Sequence, residues 1–123
     1  MKFNYENLEI SKLSLELIDI VYNLTNKFPK EEMFGLGSQL KRSASSVLLN
    51  IAEGSGKYSK QDFARYIRNA IGSLIETHAG IKIVQKRKYI SETEQKNIKQ
   101  IIEKLFYKLI AFEKSLIGKR RKC

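Results

Sequence analysis

Residues 91–118 read SETEQKNIKQIIEKLFYKLIAFEKSLIG, and their pattern is that of one long amphipathic helix. Ser91 and Glu94 have the spacing of a capping box, in which each side chain accepts a hydrogen bond from the other residue's backbone N–H at a helix N-terminus. Gly118 ends the pattern. Between these ends, apolar side chains recur every three or four residues, the period of one helix face; they are Ile98, Ile102, Leu105, Leu109, Phe112 and Leu116.

Three earlier segments, residues 6–27, 31–54 and 59–87, have the same apolar period. The first ends before Pro29, because proline disfavours helical geometry in the residue that precedes it. Small residues at positions 43–46 of the second segment would let a neighbouring helix approach closely. Glycines 54 and 56 then predict a left-handed cap. Ser59 predicts the N-cap of the third segment, with Asp62 as a weaker capping-box acid.

Length and composition fit one helical domain. The chain has 123 residues, 42% of them hydrophobic, and one proline. Typical domains have about 100–150 residues. Because short connections make consecutive helices antiparallel, we predict an all-α, up-down antiparallel four-helix bundle over residues 1–118. Residues 119–123, KRRKC, form a basic C-terminal tail.

Charge is distributed unevenly along the chain. The net charge is +10, of which residues 1–34 contribute −2, residues 35–90 contribute +7 and residues 91–123 contribute +5. A basic surface attracts polyanions by releasing their condensed counterions, although a lysine-rich surface can also serve solubility alone. The one cysteine, Cys123, excludes an intramolecular disulfide. Without a signal-peptide pattern or a long apolar run, the chain is predicted to be cytoplasmic.

Patterns of catalytic, cofactor and metal sites are weak. The loop GSGKYS at 54–59 lacks the first glycine of a phosphate-binding loop, because Ile51 occupies that position, and it follows a helix rather than a strand. A di-iron bundle would need two Glu-x-x-His pairs, whereas His78 is the one histidine. We expect His78 to be a partly buried helix residue. The sequence therefore predicts no catalytic residue, no metal site and no cofactor.

Basic residues cluster in the second and third segments and in the turn that follows. They interleave with Tyr58, Tyr66 and Tyr89, and basic side chains beside aromatic rings suit a surface that follows a nucleic-acid backbone and stacks its bases. A solvated lysine-rich face is the alternative. The predicted nucleic-acid-binding residues are Lys41, Arg42, Lys57, Arg65, Arg68, Lys82, Lys86, Arg87 and Lys88.

A second group of polar residues repeats one spacing on two helices. Asn50 and Glu53 are three residues apart in the second segment, and Ser73 and Glu76 in the third. Because the two helices are antiparallel, we expect both pairs to meet Arg42 between the helices. Buried carboxylates need charged or hydrogen-bonding partners, so this cluster would fix the helix register. A ligand site there, or a hydrolase that uses Glu53 and Glu76, is the alternative.

Four stretches resemble one known family: FPKEEMFGL at 28–36, QLKRSASSV at 39–47, NIAEGSGK at 50–57 and GSLIE at 72–76. They resemble the four helix bundle proteins, also called 23S rRNA intervening-sequence proteins. The resemblance covers nearly the whole chain, and Asn-Ile-Ala-Glu-Gly is a quite specific motif. Ser43 and Leu49 depart from it, since alanine and a small residue are usual at these positions.

The resemblance implies a left-turning antiparallel bundle that assembles into a homopentameric barrel without enzymatic activity. Members are encoded in bacteria within intervening sequences of large-subunit rRNA genes, and elsewhere. The accessory variability determinant of diversity-generating retroelements is similar to this family, which implies a basic surface that binds nucleic acid and a reverse transcriptase.

Taken together, these observations predict a non-catalytic, homopentameric scaffold that binds RNA or DNA, with no membrane association and no small-molecule substrate. The alternative is an adaptor that docks an acidic protein, such as a polymerase or reverse transcriptase, without binding nucleic acid.

Overall fold

Four α-helices make up most of residues 1–118, the part of the chain that the computed structural model describes. They are α1, Glu9–Thr25; α2, Leu36–Ser55; α3, Lys60–Lys86; and α4, Glu92–Ile117. Each helix packs against the one before and after it in sequence, and α1 also packs against α4. This arrangement confirms the predicted all-α, up-down four-helix bundle. The predicted basic tail, residues 119–123, lies outside the described residues.

Side-chain caps fix the N-termini of the last two helices as predicted. The Ser59 hydroxyl accepts a hydrogen bond from the backbone N–H of Asp62 at 3.0 Å. At the start of α4, the Glu94 N–H donates to the Ser91 hydroxyl at 3.1 Å, and the Ser91 N–H donates to the Glu94 carboxylate at 2.9 Å. Both caps satisfy backbone donors that have no partner within the helix.

The predicted start of the second helix is wrong by five residues. Lys30–Glu32 form a 3-10 turn, and Gly35 (φ −104°, ψ −105°) departs from helical geometry just before α2 begins at Leu36. A second 3-10 turn, Asn4–Asn7, precedes α1, which begins at Glu9. Each turn overlaps the first two residues of a predicted α-helix, since the predicted helices began at residues 6 and 31.

Gly54 has a different role from the predicted left-handed cap. No glycine within residues 1–118 has a positive φ, and the α2 C-cap, Gly56, has right-handed geometry (φ −88°, ψ −1°). A Cβ on Gly54 would lie 2.6 Å from the Tyr66 Cβ and 2.9 Å from the Phe63 ring. The glycine is therefore required for the close approach of α3 to the end of α2.

The core is built from the predicted apolar stripes. Their central members, including Leu17, Val47, Ile67, Leu74 and Leu105, are fully buried. Residues at the edges of the stripes are half-buried against this core; they include Ile20, Leu36, Phe63, Phe112 and Leu116. No helix within the described residues is long and apolar enough to cross a membrane.

Small polar residues bring α2 and α3 together, as the sequence predicted for positions 43–46. The Ser43 and Thr77 hydroxyls are 2.8 Å apart, and the Ser46 and Ser73 hydroxyls are 2.9 Å apart. The first pair is buried and the second partly buried. Hydrogen bonds between such hydroxyls satisfy both groups and fix the register of the two helices.

Candidate nucleic-acid interface

The nine predicted basic residues lie in two clusters and one further pair rather than in one patch. The turn cluster, Lys57, Arg65 and Arg68, lies near the connection between α2 and α3. The α3 C-terminal cluster, Lys82, Lys86, Arg87 and Lys88, lies at the opposite end of the bundle. Fourteen residues separate Arg68 from Lys82, which is about 21 Å along a helix. The remaining pair, Lys41 and Arg42, lies in the first half of α2.

Tyrosine rings accompany basic side chains in this surface. The Lys57 ammonium lies 5.1 Å and the Arg65 guanidinium 5.8 Å from the centre of the Tyr66 ring. Tyr58, in the same connection, is fully exposed. On the other side of α2, the Lys41 ammonium lies 5.2 Å from the Tyr22 ring. Cations within about 6 Å of a ring centroid attract the ring electrostatically, so these contacts hold both groups at the surface.

Arg68 does not present a free positive charge. Its guanidinium donates from Nε to Glu113 Oε2 at 2.9 Å, and its Nη2 forms a second hydrogen bond to Oε1 of the same carboxylate. Glu113 is only 7% exposed. This two-point ion pair joins α3 to α4, so the charge of Arg68 is already compensated by a carboxylate within the bundle.

Glu113 is a buried charge that sequence reasoning missed, although a signal was present. It follows Leu109 by four residues and precedes Leu116 by three, so it occupies a position in the apolar stripe of α4. A carboxylate at such a position requires a partner, because burial of an unpaired charge is costly. Its partner is 45 residues away in sequence.

The predicted polar cluster is only partly assembled. Arg42, Glu53 and Glu76 are all exposed, so the expected burial of the two carboxylates is wrong. Asn50 donates to the Ser46 carbonyl at 2.8 Å and to its hydroxyl at 3.0 Å. Ser46 in turn contacts Ser73, whereas Glu53 accepts a hydrogen bond from Tyr66 at 3.2 Å. Close packing by small residues leaves no room between α2 and α3 for the longer side chains, which point outward.

Side-chain contacts also hold the turn between α3 and α4. Lys88 has a positive φ of 62°, and Tyr89 packs on Phe28 and donates from its hydroxyl to Glu32 at 3.0 Å. The nearby Tyr89 side chain raises the pKa of the Arg87 guanidinium, a group that is charged at physiological pH in any case. Nearby, a hydrogen bond from Lys27, with a second from the Ser91 N–H, lowers the pKa of Glu94.

His78 is half-buried in α3, as predicted. It lines a groove between α3 and α4 together with Glu103 and apolar side chains. Within residues 1–118, no three His, Cys, Asp or Glu side chains come together as a metal site would require.

Comparison with known proteins gives a family and a structural neighbour. The model of the family described as 23S rRNA-intervening sequence protein matches residues 6–111. The fold is similar to a crystal structure of a protein of unknown function from the S23 ribosomal protein family of Bacteroides thetaiotaomicron, with a TM-score of 0.79. The two sequences are 24% identical, and the match covers 85% of this chain and 98% of the other. No curated protein matches the sequence. Neither matching description names an enzyme.

Proposed function

Because this chain belongs to the 23S rRNA-intervening sequence protein family, we propose that it is a non-catalytic, homo-oligomeric helical scaffold that binds RNA or DNA through its basic surface. The observation that carries the proposal is the excess of uncompensated positive charge. Of the nine predicted basic residues, only Arg65 and Arg68 have a carboxylate within ion-pair distance in the described part of the chain. Such side chains are available to neutralise phosphates.

The tyrosines support binding to single strands. Tyr58 is fully exposed, and two cations, Lys57 and Arg65, lie near the Tyr66 ring. Stacking of a base on an aromatic side chain contributes about 1–3 kcal/mol and tolerates any base. The proposed recognition is therefore of backbone charge and base faces, with little sequence preference.

Exposed apolar side chains support the oligomer. Leu15, Leu49, Ile75 and Ile83 are each more than half exposed on the outer faces of the helices. Exposed apolar surface of this kind is typical of protein–protein contacts. We propose a pentamer, as the family resemblance implies, and light scattering would then give about five times the 14.2 kDa chain mass.

The test of binding is fluorescence anisotropy with a labelled single-stranded oligonucleotide at two salt concentrations. The variant Lys57→Gln/Lys86→Gln/Arg87→Gln removes one cation from the turn cluster and two from the α3 C-terminal cluster, and it leaves the Arg68–Glu113 ion pair intact. The logarithm of the binding constant falls with the logarithm of the salt concentration, and each lost phosphate contact should make this slope shallower by about 0.7–0.9.

The matched control is Lys2→Gln/Lys12→Gln/Lys114→Gln, which removes the same charge from exposed positions outside the predicted set. It should bind more tightly than the first variant. Absence of binding by the unmodified protein at low salt would refute the nucleic-acid proposal and favour an adaptor for an acidic protein. If both variants lose the same affinity for the oligonucleotide, the net charge of the protein attracts the nucleic acid and there is no defined binding site.

A further inference from the structure

A groove between α3 and α4 is apolar at one end and positively charged at the other. The larger hollow, about 330 Å³, is lined mostly by apolar and aromatic side chains, among them Ile75 and Phe106, together with His78 and Glu103. Ile75 is 54% exposed. A smaller hollow continues past His78 to Lys82 and Lys99. Among the described residues that line the two hollows, Glu103 is the one carboxylate. The groove therefore suits an apolar surface that also carries acidic groups.

The outer face of α1 has this complementary character. Leu15 and Tyr22 are 53% and 46% exposed. Their seven-residue spacing places them on one side of the helix, about 10 Å apart. Exposed Asp19 lies between them, and exposed Lys12 lies one turn before Leu15 on the same side. The Lys41 ammonium lies over the Tyr22 ring, so the acidic charge of this face is at its centre, at Asp19.

The two surfaces lie at nearly the same height along the bundle. Thr25 of α1 packs beside Gly37 of α2, so Tyr22, three residues earlier, is level with Leu40. Leu40 in turn contacts Gly80 of α3. Tyr22 is therefore level with Gly80 and Leu15 with Ser73, two residues, or about 3 Å, from Lys82 and Ile75 respectively.

This match in height allows a closed ring. Rotation about an axis parallel to the bundle can bring the α1 face of one copy to the groove of the next without sliding either along its length. Repetition of one such head-to-tail contact generates a ring when the rotation closes.

We infer that the outer face of α1 packs into the α3–α4 groove of a second copy of this chain, and that this contact builds the homo-oligomer proposed above. Leu15 fills the apolar end beside Ile75 and Phe106. Asp19 lies within reach of His78 and Lys82 of the neighbouring copy, and opposite charge at this position fixes which surfaces meet.

The test uses two single variants, one for each surface. Leu15→Glu damages the α1 face and leaves the groove intact, whereas Ile75→Glu damages the groove and leaves the α1 face intact. Both positions are exposed, so the fold should be retained, and circular dichroism checks it. By light scattering each variant alone should fall to the 14.2 kDa chain mass. An equimolar mixture should form a heterodimer of twice that mass, because it contains one intact pair of surfaces.

Glu31→Lys, at an exposed position in the α1–α2 connection, is the control and should keep the mass of the unmodified protein. A mixture that stays monomeric, or a Leu15→Glu variant that stays oligomeric, would overturn the inferred contact. An oligomeric Leu15→Glu variant would mean that the protein assembles through another interface, and the proposed oligomer would still hold. A monomeric unmodified protein would contradict both the proposed oligomer and the inferred contact.

Discussion

Arg68 and Glu113 form an unequal pair, because one end is exposed to water and the other is not. The Arg68 side chain is 55% exposed and that of Glu113 only 9%. Removal of the arginine leaves a buried carboxylate without its partner, whereas removal of the glutamate leaves a guanidinium that water can still solvate.

We therefore predict that Arg68→Ala destabilises the protein more than Glu113→Leu. The arginine substitution should lower the free energy of unfolding by about 1–3 kcal/mol, the cost of an unsatisfied buried group. Urea denaturation at neutral pH measures both variants. If both variants lose the same free energy of unfolding, the structural role assigned to this pair is contradicted.

Glu94 gives a pH-dependent contribution whose sign follows from its contacts. Hydrogen bonds from Lys27 and the Ser91 N–H lower its pKa in the folded state. The folded state therefore favours the ionised carboxylate, and this stabilisation is present above the pKa of the unfolded chain, about 4.3. It is lost as pH falls through the lower folded-state pKa.

We predict that the free energy of unfolding of the Glu94→Gln variant decreases less between pH 5 and pH 3 than that of the unmodified protein. The comparison is the urea midpoint of the variant and of the unmodified protein at each pH. Glu103→Gln serves as the control, since Glu103 has no ion pair within residues 1–118. A Glu94→Gln variant as acid-sensitive as the unmodified protein would show that the Lys27 contact adds nothing.

Single residues could be predicted from sequence where their partners are local. The Ser91–Glu94 capping box lies within one helical turn, and the structure confirms it. The partner of Glu113 lies on another helix, so only the need for a partner could be inferred. Arg68, with an exposed position and a positive charge, looked like any other surface arginine.

At the level of elements, Gly54 of α2 is tightly packed, whereas Gly72 of α3 has open space beside it. A Cβ at Gly54 would clash with Tyr66 and Phe63, whereas a Cβ at Gly72 would meet nothing within 4 Å in the single chain. The same substitution should therefore have opposite effects at these two positions.

We predict that Gly54→Ala destabilises the protein by about 1–3 kcal/mol, because α2 and α3 must separate to admit the methyl group. Gly72→Ala should stabilise it by about 0.5–1 kcal/mol, the difference in helix propensity. Thermal and urea denaturation measure both. Destabilisation by Gly72→Ala would indicate that another surface covers this glycine.

Helix boundaries were predictable only where a cap or a proline marks them. Residues 31–35 contain acidic and apolar side chains that suit a first helical turn, so the sequence predicted α-helix. In the structure these residues cross from α1 to α2, and Glu32 bonds to Tyr89 of a distant turn. A long-range contact thus selects a 3-10 turn that local propensity does not specify.

For the whole molecule, apolar periodicity was sufficient to predict four antiparallel helices. Periodicity does not show which exposed apolar residues meet another copy, because Leu15 and Ile83 lie outside any stripe. It also does not show whether basic residues form one patch, since Arg68 and Lys82 share a side of α3 and yet lie at opposite ends. These properties depend on packing between helices and between chains.

Assembly and nucleic-acid binding should be coupled if each copy contributes its own basic clusters. Several weak sites on one oligomer engage a long strand together, since the second contact occurs at a high effective concentration. A short oligonucleotide that reaches one copy gains nothing from this effect. The double variant Leu15→Gln/Ile75→Gln separates the two properties, because it removes apolar side chains of the inferred contact and keeps every charge.

We predict that this variant binds a 40-nucleotide strand at least about tenfold more weakly than the unmodified protein. Its affinity for an eight-nucleotide strand should be unchanged, because both proteins present the same basic side chains to it. Anisotropy at one fixed salt concentration measures both strands, and light scattering of the same samples records their mass. An equal loss for both lengths would mean that the α1 face or the groove itself contacts the nucleic acid. If the variant is monomeric and its affinity for both strands is unchanged, one copy of the chain contains the whole binding site.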